Sequence, residues 1–205
     1  KARKTTTNRA GLKFIGVDPA GGDPENQGTN RDRTSIIIRQ GRVAYGLQSY
    51  KNKDTMQTVG ILVNLIKSEN PDFICIDVGG LGVGIVDRLR ELGYGKIVKP
   101  VNFGGKALSE DRYANKRSEI WSLTDAWLKD VPVQIPDSDS LHSDLCAPFQ
   151  EADSLGRVLL ESKPAMKKRG VISPDEGDAL ALTFAFPALN NNANIGNILN
   201  PTIRF

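Results

Sequence analysis

The residues with the clearest chemical potential are three aspartates, Asp18, Asp77 and Asp178. Asp18 and Asp77 each close a short apolar segment that predicts a β-strand, and a glycine-containing loop follows each of them. Asp178 lies on a predicted helix, where a rotation of about 100° per residue turns it toward the apolar side. A buried ionised carboxylate needs a cation, a donor or a proton as compensation. Together the three aspartates predict a site for a hard divalent cation, Mg²⁺ or Mn²⁺, because these ions prefer oxygen ligands.

Each aspartate also has a purely structural explanation. Asp18 would be a turn residue before Pro19, and Asp77 would cap the loop that follows it. Asp178 would be an acid satisfied by amides at a helix N-terminus. Thiolate or imidazole metal clusters are excluded, because the chain has one histidine and two cysteines without C-x-x-C spacing.

The apolar pattern predicts a mixed α/β sheet flanked by helices on both faces. The predicted strands are 13–18, 34–39, 42–48, 73–76 and 97–101, with a short strand at 133–135 and a hairpin over 149–160. The predicted helices are 54–69, 83–92, 109–128 and a last one with Ser173 as N-cap and Pro174 as its first residue. Glu176 and Thr183 define the polar face of that last helix. Sites in such sheets gather at the carboxyl ends of strands, which is where Asp18 and Asp77 lie.

Composition limits the class of protein without identifying a partner. The chain has 205 residues, 39% of them hydrophobic, which is enough for a core and excludes disorder of the whole chain. A net charge of +3 permits an anionic partner but does not require one. No apolar run approaches the roughly 18 residues of a membrane span, so no membrane association is expected.

Three segments resemble the acidic motifs of the nuclease domain of bacteriophage terminase large subunits. They are IGVDPAGG (15–22), IDVGGLG (76–82) and SPDEGDALAL (173–182), and the segment ANKRSEIW (114–121) is also similar to that family. The resemblance implies a ribonuclease-H-like fold, related to Holliday-junction resolvases. It also implies a domain that cuts concatemeric viral DNA during genome packaging with two divalent metals. Carried over to this sequence, Asp18, Asp77 and Asp178 correspond to the catalytic metal ligands. Asp18 would bridge the two ions, and Asp77 and Asp178 would each complete one side.

The resemblance also implies a domain arrangement. Family members place an ATPase motor before the nuclease, but this sequence has no G-x-x-x-x-G-K-[ST], and Ala107 follows Lys106 where the motif needs a hydroxyl. We expect 1–12 to be a linker from an ATPase domain of the same polypeptide, 13–188 to be the nuclease and 189–205 to be a flexible Asn-rich tail. The expected partners are double-stranded DNA, that ATPase domain, the small terminase subunit and the portal protein. The expected location is the cytoplasm of the infected bacterial host.

Basic residues near the acidic motifs are candidates for contacts with DNA phosphates, which supply most non-specific affinity. They are Arg112, Lys116, Arg117, Lys163, Lys167, Lys168 and Arg169. A solvated helix face explains each cluster equally well. Further acids that could approach a metal are Asp23, Asp32 and Asp175, although solvated loop acids and a helix-dipole role are alternatives. Trp121 and Trp127 are expected in the core.

Two other functions remain open at the level of sequence. An actin-like or sugar-kinase-like ATPase fragment would use the segments around Asp18 and Asp77 as phosphate loops, but such an enzyme needs two domains of this kind. A non-catalytic DNA-clamping or portal-docking module would use the aspartates to satisfy buried donors.

Overall fold

A five-stranded mixed sheet organises the fold in the computed structural model, which describes residues 1–20, 33–51 and 53–186. Its strands are β1 (Lys13–Asp18), β2 (Thr34–Gln40), β3 (Val43–Tyr50), β4 (Phe73–Asp77) and β5 (Val98–Val101). They lie in the order β3-β2-β1-β4-β5. β2 is antiparallel to β1 and β3, whereas β1, β4 and β5 run parallel. The predicted mixed sheet, including its first hairpin, is confirmed.

Helices cover both faces of the sheet. They are α1 (Thr55–Glu69), α2 (Gly82–Leu89), α3 (Lys116–Lys129), α4 (Asp139–Cys146), α5 (Lys163–Lys168) and α6 (Asp175–Leu182). A single-turn helix, Ala2–Lys4, and a π-helical turn, Arg90–Tyr94, complete the described helices, and β6 (Gln150–Ala152) and β7 (Val158–Leu160) form the predicted second hairpin. Side chains alternate across the strands, so Ile74 and Ile76 of β4 pack with α1 and α2 while Cys75 packs with α3 and α6. None of the described helices combines the length and the apolar character needed to cross a membrane.

The long predicted helix over 109–128 is shorter at its start, because α3 begins only at Lys116. Asn115 ends the preceding segment and caps α3 by accepting a hydrogen bond from the Ser118 amide at 2.8 Å. The side chain of Glu119 accepts the amide hydrogens of Leu108 and Ser109, which holds their segment beside the helix. The short predicted strand at 133–135 makes one isolated bridge, from Gln134 to Val43.

The last helix is also capped differently from the prediction. Its N-cap is Pro174, which has no capping side chain, so the assignment of Ser173 as the cap is wrong. The expected polar face is wrong as well, because Glu176 and Thr183 are both buried. Pro187, Asp23, Asp32 and the predicted tail 189–205 lie outside the described residues.

Gly16 permits the approach of α6 to the sheet. A Cβ at Gly16 would lie 1.9 Å from the carbonyl oxygen of Ala179, so only a residue without a side chain allows β1 and α6 to pack this closely. Asp18 lies two residues after this contact on the strand, and Asp178 lies one residue before it on the helix. The close packing therefore brings these two carboxylates together.

We expect Gly16→Ala to lower the free energy of unfolding by about 3 kcal/mol, because the new methyl group forces α6 away from β1. Gly60→Ala is the matched control. Gly60 lies in the middle of α1 on its solvent-exposed side, with nothing within 4 Å of an added Cβ. That control should stabilise the protein by up to about 1 kcal/mol. Urea denaturation measures both, and equal stability of the two variants would contradict the packing argument.

Candidate active site

Asp18 and Asp77 lie side by side at one edge of the sheet. β1 and β4 are parallel, and their register pairs Val17 with Ile76, the residues that precede the two aspartates. Both aspartates line a cleft of about 600 Å³, together with α5, the start of α2 and the base of the β6–β7 hairpin. The structure thus brings two of the predicted carboxylates to the mouth of one cleft.

Asp178 lies in the first turn of α6, fully buried beside the same cleft. Its Oδ1 accepts hydrogen bonds from Arg117 Nε at 3.1 Å and from Trp121 Nε1 at 2.8 Å. Among the described residues its Oδ2 accepts no hydrogen bond, but the ammonium of Lys163 lies 2.9 Å away in an ion pair. Cations and an indole on other helices hold this carboxylate, so the helix-amide explanation for Asp178 is wrong.

Lys163 joins two of the three aspartates. Its Nζ lies 3.5 Å from Asp18 Oδ2, in addition to its contact with Asp178. Burial alone would lower the pKa of Lys163, but Asp18 and Asp178 raise it well above its ordinary value, so the side chain stays charged. A positive charge therefore occupies the space between the two carboxylates.

The aspartates differ in their affinity for protons. Burial raises the pKa of Asp18, Lys163 opposes the shift, and repulsion from Asp178 strengthens it. Burial also raises the pKa of Asp77, against the amide of Gly79, which donates to Asp77 Oδ1 at 3.1 Å. Burial acts in the same direction on Asp178, but Arg117, Lys163 and Trp121 hold its pKa below its ordinary value. The site carries excess negative charge that further cations would relieve.

The donor set fits a hard divalent cation, although the side chains are arranged around an ammonium. All three acids offer oxygen, and Asp178 Oδ2 is a buried acceptor without a hydrogen bond. Within the described ranges no group of three or more Asp, Glu, His or Cys side chains is gathered closely enough to hold a metal. The Lys163 ammonium instead pairs with both Asp18 and Asp178 and compensates their charge. A metal ion would have to displace it.

The structure corrects the expectation that Lys116 and Arg117 lie on a DNA-facing surface. Both side chains are buried. Lys116 pairs with Glu119 at 2.6 Å, and Arg117 donates to Asp178 and, through Nη1, to the carbonyl of Glu161 at 2.8 Å. These cations hold the site together from within.

The other basic candidates differ in their availability. Lys167 and Lys168 are exposed on α5, one turn beyond Lys163. Arg169 pairs with Glu161 at 2.6 Å and also donates to a carbonyl group. Arg112 is half-buried beside Tyr113.

Acids at the start of α6 have structural partners. Asp175 is buried and accepts the Arg33 amide hydrogen at 2.9 Å. Glu176, expected to be a capping residue on a polar face, accepts hydrogen bonds from Ser49 at 2.8 Å and from Ser140 at 2.7 Å. Trp121 and Trp127 are buried, as expected, and Trp121 also contributes its indole to the site.

Sequence reasoning did not single out Asp144 on α4. Its Oδ2 accepts the amide hydrogens of Glu176 at 2.9 Å and Gly177 at 3.3 Å, beside Asp178. Burial raises the pKa of Asp144 to about 7, even though these two amides oppose the shift. The signal available in the sequence was the spacing from Leu141 to Asp144, because residues three apart lie on the same face of a helix. An acid so placed beside an apolar residue faces the core.

Solved structures with a similar fold include nuclease domains of phage large terminase subunits. The nuclease domain of the large terminase subunit of bacterial virus Sf6 matches with a TM-score of 0.73 at 18% identity, over 88% of this chain and 91% of that one. The large terminase nuclease of thermophilic phage G20c, with bound magnesium, matches at 0.59 and 16%, over 86% and 83%. A point mutant of the Sf6 domain with manganese matches at 0.70 and 17%, over 86% and 89%. The chain has the fold of a large terminase nuclease domain. Neither a protein-family model nor a curated protein matches the sequence.

We expect Lys163→Ala to bind Mn²⁺ at least about tenfold more tightly than the unsubstituted domain, equivalent to about 1.4 kcal/mol. The substitution removes the ammonium that competes with a metal for Asp18 and Asp178. Isothermal titration calorimetry with MnCl₂ measures the affinity. Lys129→Ala, at an exposed ion pair on α3, is the control and should leave the affinity unchanged. Weaker binding by Lys163→Ala would contradict a competing role for the ammonium.

Proposed function

We propose that this domain is a metal-dependent endonuclease that cuts double-stranded viral DNA during genome packaging. The observation that carries the proposal is that Asp18 and the buried Asp178 share one ammonium group, that of Lys163, beside the cleft that Asp18 and Asp77 line. Excess carboxylate charge beside an open cleft suits divalent cations and, through them, phosphodiester chemistry. The fold supports the proposal, and two similar domains carry magnesium or manganese in their structures.

Asp18, Asp77 and Asp178 would hold the two Mg²⁺ or Mn²⁺ ions. When bound, such a pair of ions activates a water molecule and stabilises the leaving oxygen of a phosphodiester. Arg117 and Trp121 orient Asp178 by binding its Oδ1, which leaves Oδ2 directed at Lys163. The Gly79 amide orients Asp77 in the same way. These contacts fix the directions of the carboxylates before any ligand arrives.

Lys163 would act as the counterion of the metal-free site. Because its pKa is raised, the Lys163 side chain would remain an ammonium if a metal ion took its place between Asp18 and Asp178. Burial raises the pKa of Asp18, and a cation held beside it would favour the ionised carboxylate. Lys163 is the first residue of α5 and lines the cleft, so its ammonium would lie within reach of a DNA phosphate bound there.

DNA would be recognised mainly through its backbone. Lys167 and Lys168 present exposed charges on the same helix as Lys163, and phosphate contacts of this kind give affinity with little sequence preference. We further propose that an ATPase domain of the same polypeptide, the small terminase subunit and the portal are its partners, in the cytoplasm of the infected host.

We expect the domain to nick and linearise supercoiled plasmid in Mg²⁺ or Mn²⁺ and to be inactive in EDTA. Asp18→Asn, Asp77→Asn and Asp178→Asn should each reduce the rate at least about 100-fold, because each substitution removes a ligand charge that the metals need. Asp125→Asn changes an exposed acid on α3 and should match the unsubstituted domain. Agarose gel assays over time measure the rates. DNA binding without cleavage in any ion would instead support a DNA-clamping module.

We expect Lys167→Ala/Lys168→Ala to weaken DNA binding equally for unrelated sequences and to reduce the slope of log K against log salt by about 2, or about 0.9 per lost contact. The control is Lys96→Ala/Lys129→Ala, which removes two exposed charges away from the cleft. Fluorescence anisotropy with a short duplex in EDTA measures both. The same slope for the two double variants would exclude α5 from the DNA interface.

A further inference from the structure

The helix that carries Asp178 has no cap of its own. Pro174 at its N-cap offers no side-chain acceptor, and Ser173 Oγ is buried without a hydrogen-bond partner among the described residues. Two amides of the first turn are nevertheless satisfied, because Asp144 Oδ2 accepts from Glu176 N at 2.9 Å and Gly177 N at 3.3 Å. These are the second and third residues of the helix, whose amides an N-cap side chain ordinarily binds. A distant residue on α4 therefore caps α6.

Asp144 and Trp121 hold the first turn of α6 from two sides. A Cβ at Gly177 would lie 2.8 Å from Trp121 Cη2 and 3.3 Å from Asp144 Cβ, so the backbone of this turn is packed tightly between them. The next residue is Asp178, whose Oδ1 accepts the Trp121 indole hydrogen. A displacement of the turn toward α4 or away from it therefore changes the position of the Asp178 carboxylate.

A second hydrogen bond from α4 to α6 acts only on a side chain. Ser140 Oγ donates to Glu176 Oε2 at 2.7 Å, and Ser49 Oγ donates to the other carboxylate oxygen of the same residue. These bonds fix the Glu176 side chain, but among the described side chains Asp144 is the one that accepts hydrogen bonds from the backbone of this turn. Ser140 consequently provides a matched comparison on the same helix.

We infer that Asp144 is a positioning residue for the metal site: by capping α6 from α4, it fixes the first turn so that Asp178 points at Asp18 and Lys163. The inference rests on the proposed function, because it assumes that Asp178 is a metal ligand. Capping requires an acceptor rather than a charge, so an amide at this position should serve almost as well. If Asp144 only stabilised the fold, its replacement by alanine would lower the melting temperature and leave the Mn²⁺ affinity of the folded domain unchanged.

The test compares Asp144→Ala and Asp144→Asn with Ser140→Ala. Calorimetry with MnCl₂ gives the metal affinity, anisotropy with duplex DNA in EDTA gives DNA binding, and thermal melting gives stability. We expect Asp144→Ala to weaken Mn²⁺ binding about tenfold or more while DNA affinity stays within twofold, and Asp144→Asn and Ser140→Ala to stay within twofold throughout. Should Asp144→Ala fail to fold, Asp144→Glu replaces it, because it keeps an acceptor one methylene too long, and it should weaken Mn²⁺ binding at least threefold.

An unchanged Mn²⁺ affinity in Asp144→Ala, or in Asp144→Glu as its replacement, would overturn the inference. An equal loss of Mn²⁺ affinity in Asp144→Asn would also overturn the inference. That result would show that metal binding depends on the charge of Asp144 and not on its capping hydrogen bonds. The proposed function fails separately, if the unsubstituted domain binds Mn²⁺ but does not cut DNA. In that event the affinities still decide the role of Asp144.

Discussion

The burial of the Asp178 carboxylate is the constraint on which the arrangement of the domain depends. A charge with no access to solvent is costly, and removing one partner of such a group typically costs about 3–5 kcal/mol. The chain compensates it with Arg117 and Trp121 from α3 and Lys163 from α5. Two helices, α3 and α5, therefore converge on one oxygen pair of α6, and Gly16 lets α6 approach the sheet closely enough to place that pair beside Asp18.

The same contacts connect Asp178 to the walls of the cleft. Arg117 binds Asp178 with Nε and the carbonyl of Glu161 with Nη1, immediately after the hairpin strand β7. Ser162 then caps α5, whose first residue is Lys163. The hairpin, the ammonium and the carboxylate thus form a continuous set of contacts. A ligand that displaces Lys163 acts on the segment that joins the hairpin to α5.

The sequence predicted the sheet and the three aspartates because both depend on local patterns. Apolar runs that end in Asp18 and Asp77 define β1 and β4, and parallel pairing then places those acids together. Prediction from the sequence failed where residues distant in the chain determine the local structure. Ser173 matches a capping pattern, but Asp144 supplies the cap, and α3 starts late because Asn115 caps it and Glu119 binds the segment before it. The roles of Arg117 and Lys163 were unpredictable for the same reason, since their partners lie on α6 and β1, 61 and 145 residues away in the chain.

The most direct test of this account is a crystal structure of the domain with Mn²⁺, with anomalous diffraction used to locate the metal. The account predicts anomalous peaks coordinated by Asp18, Asp77 and Asp178, with the Lys163 ammonium moved away from both Asp18 and Asp178. A structure at saturating Mn²⁺ that lacks a peak at these aspartates, with Lys163 still paired to them, would contradict it.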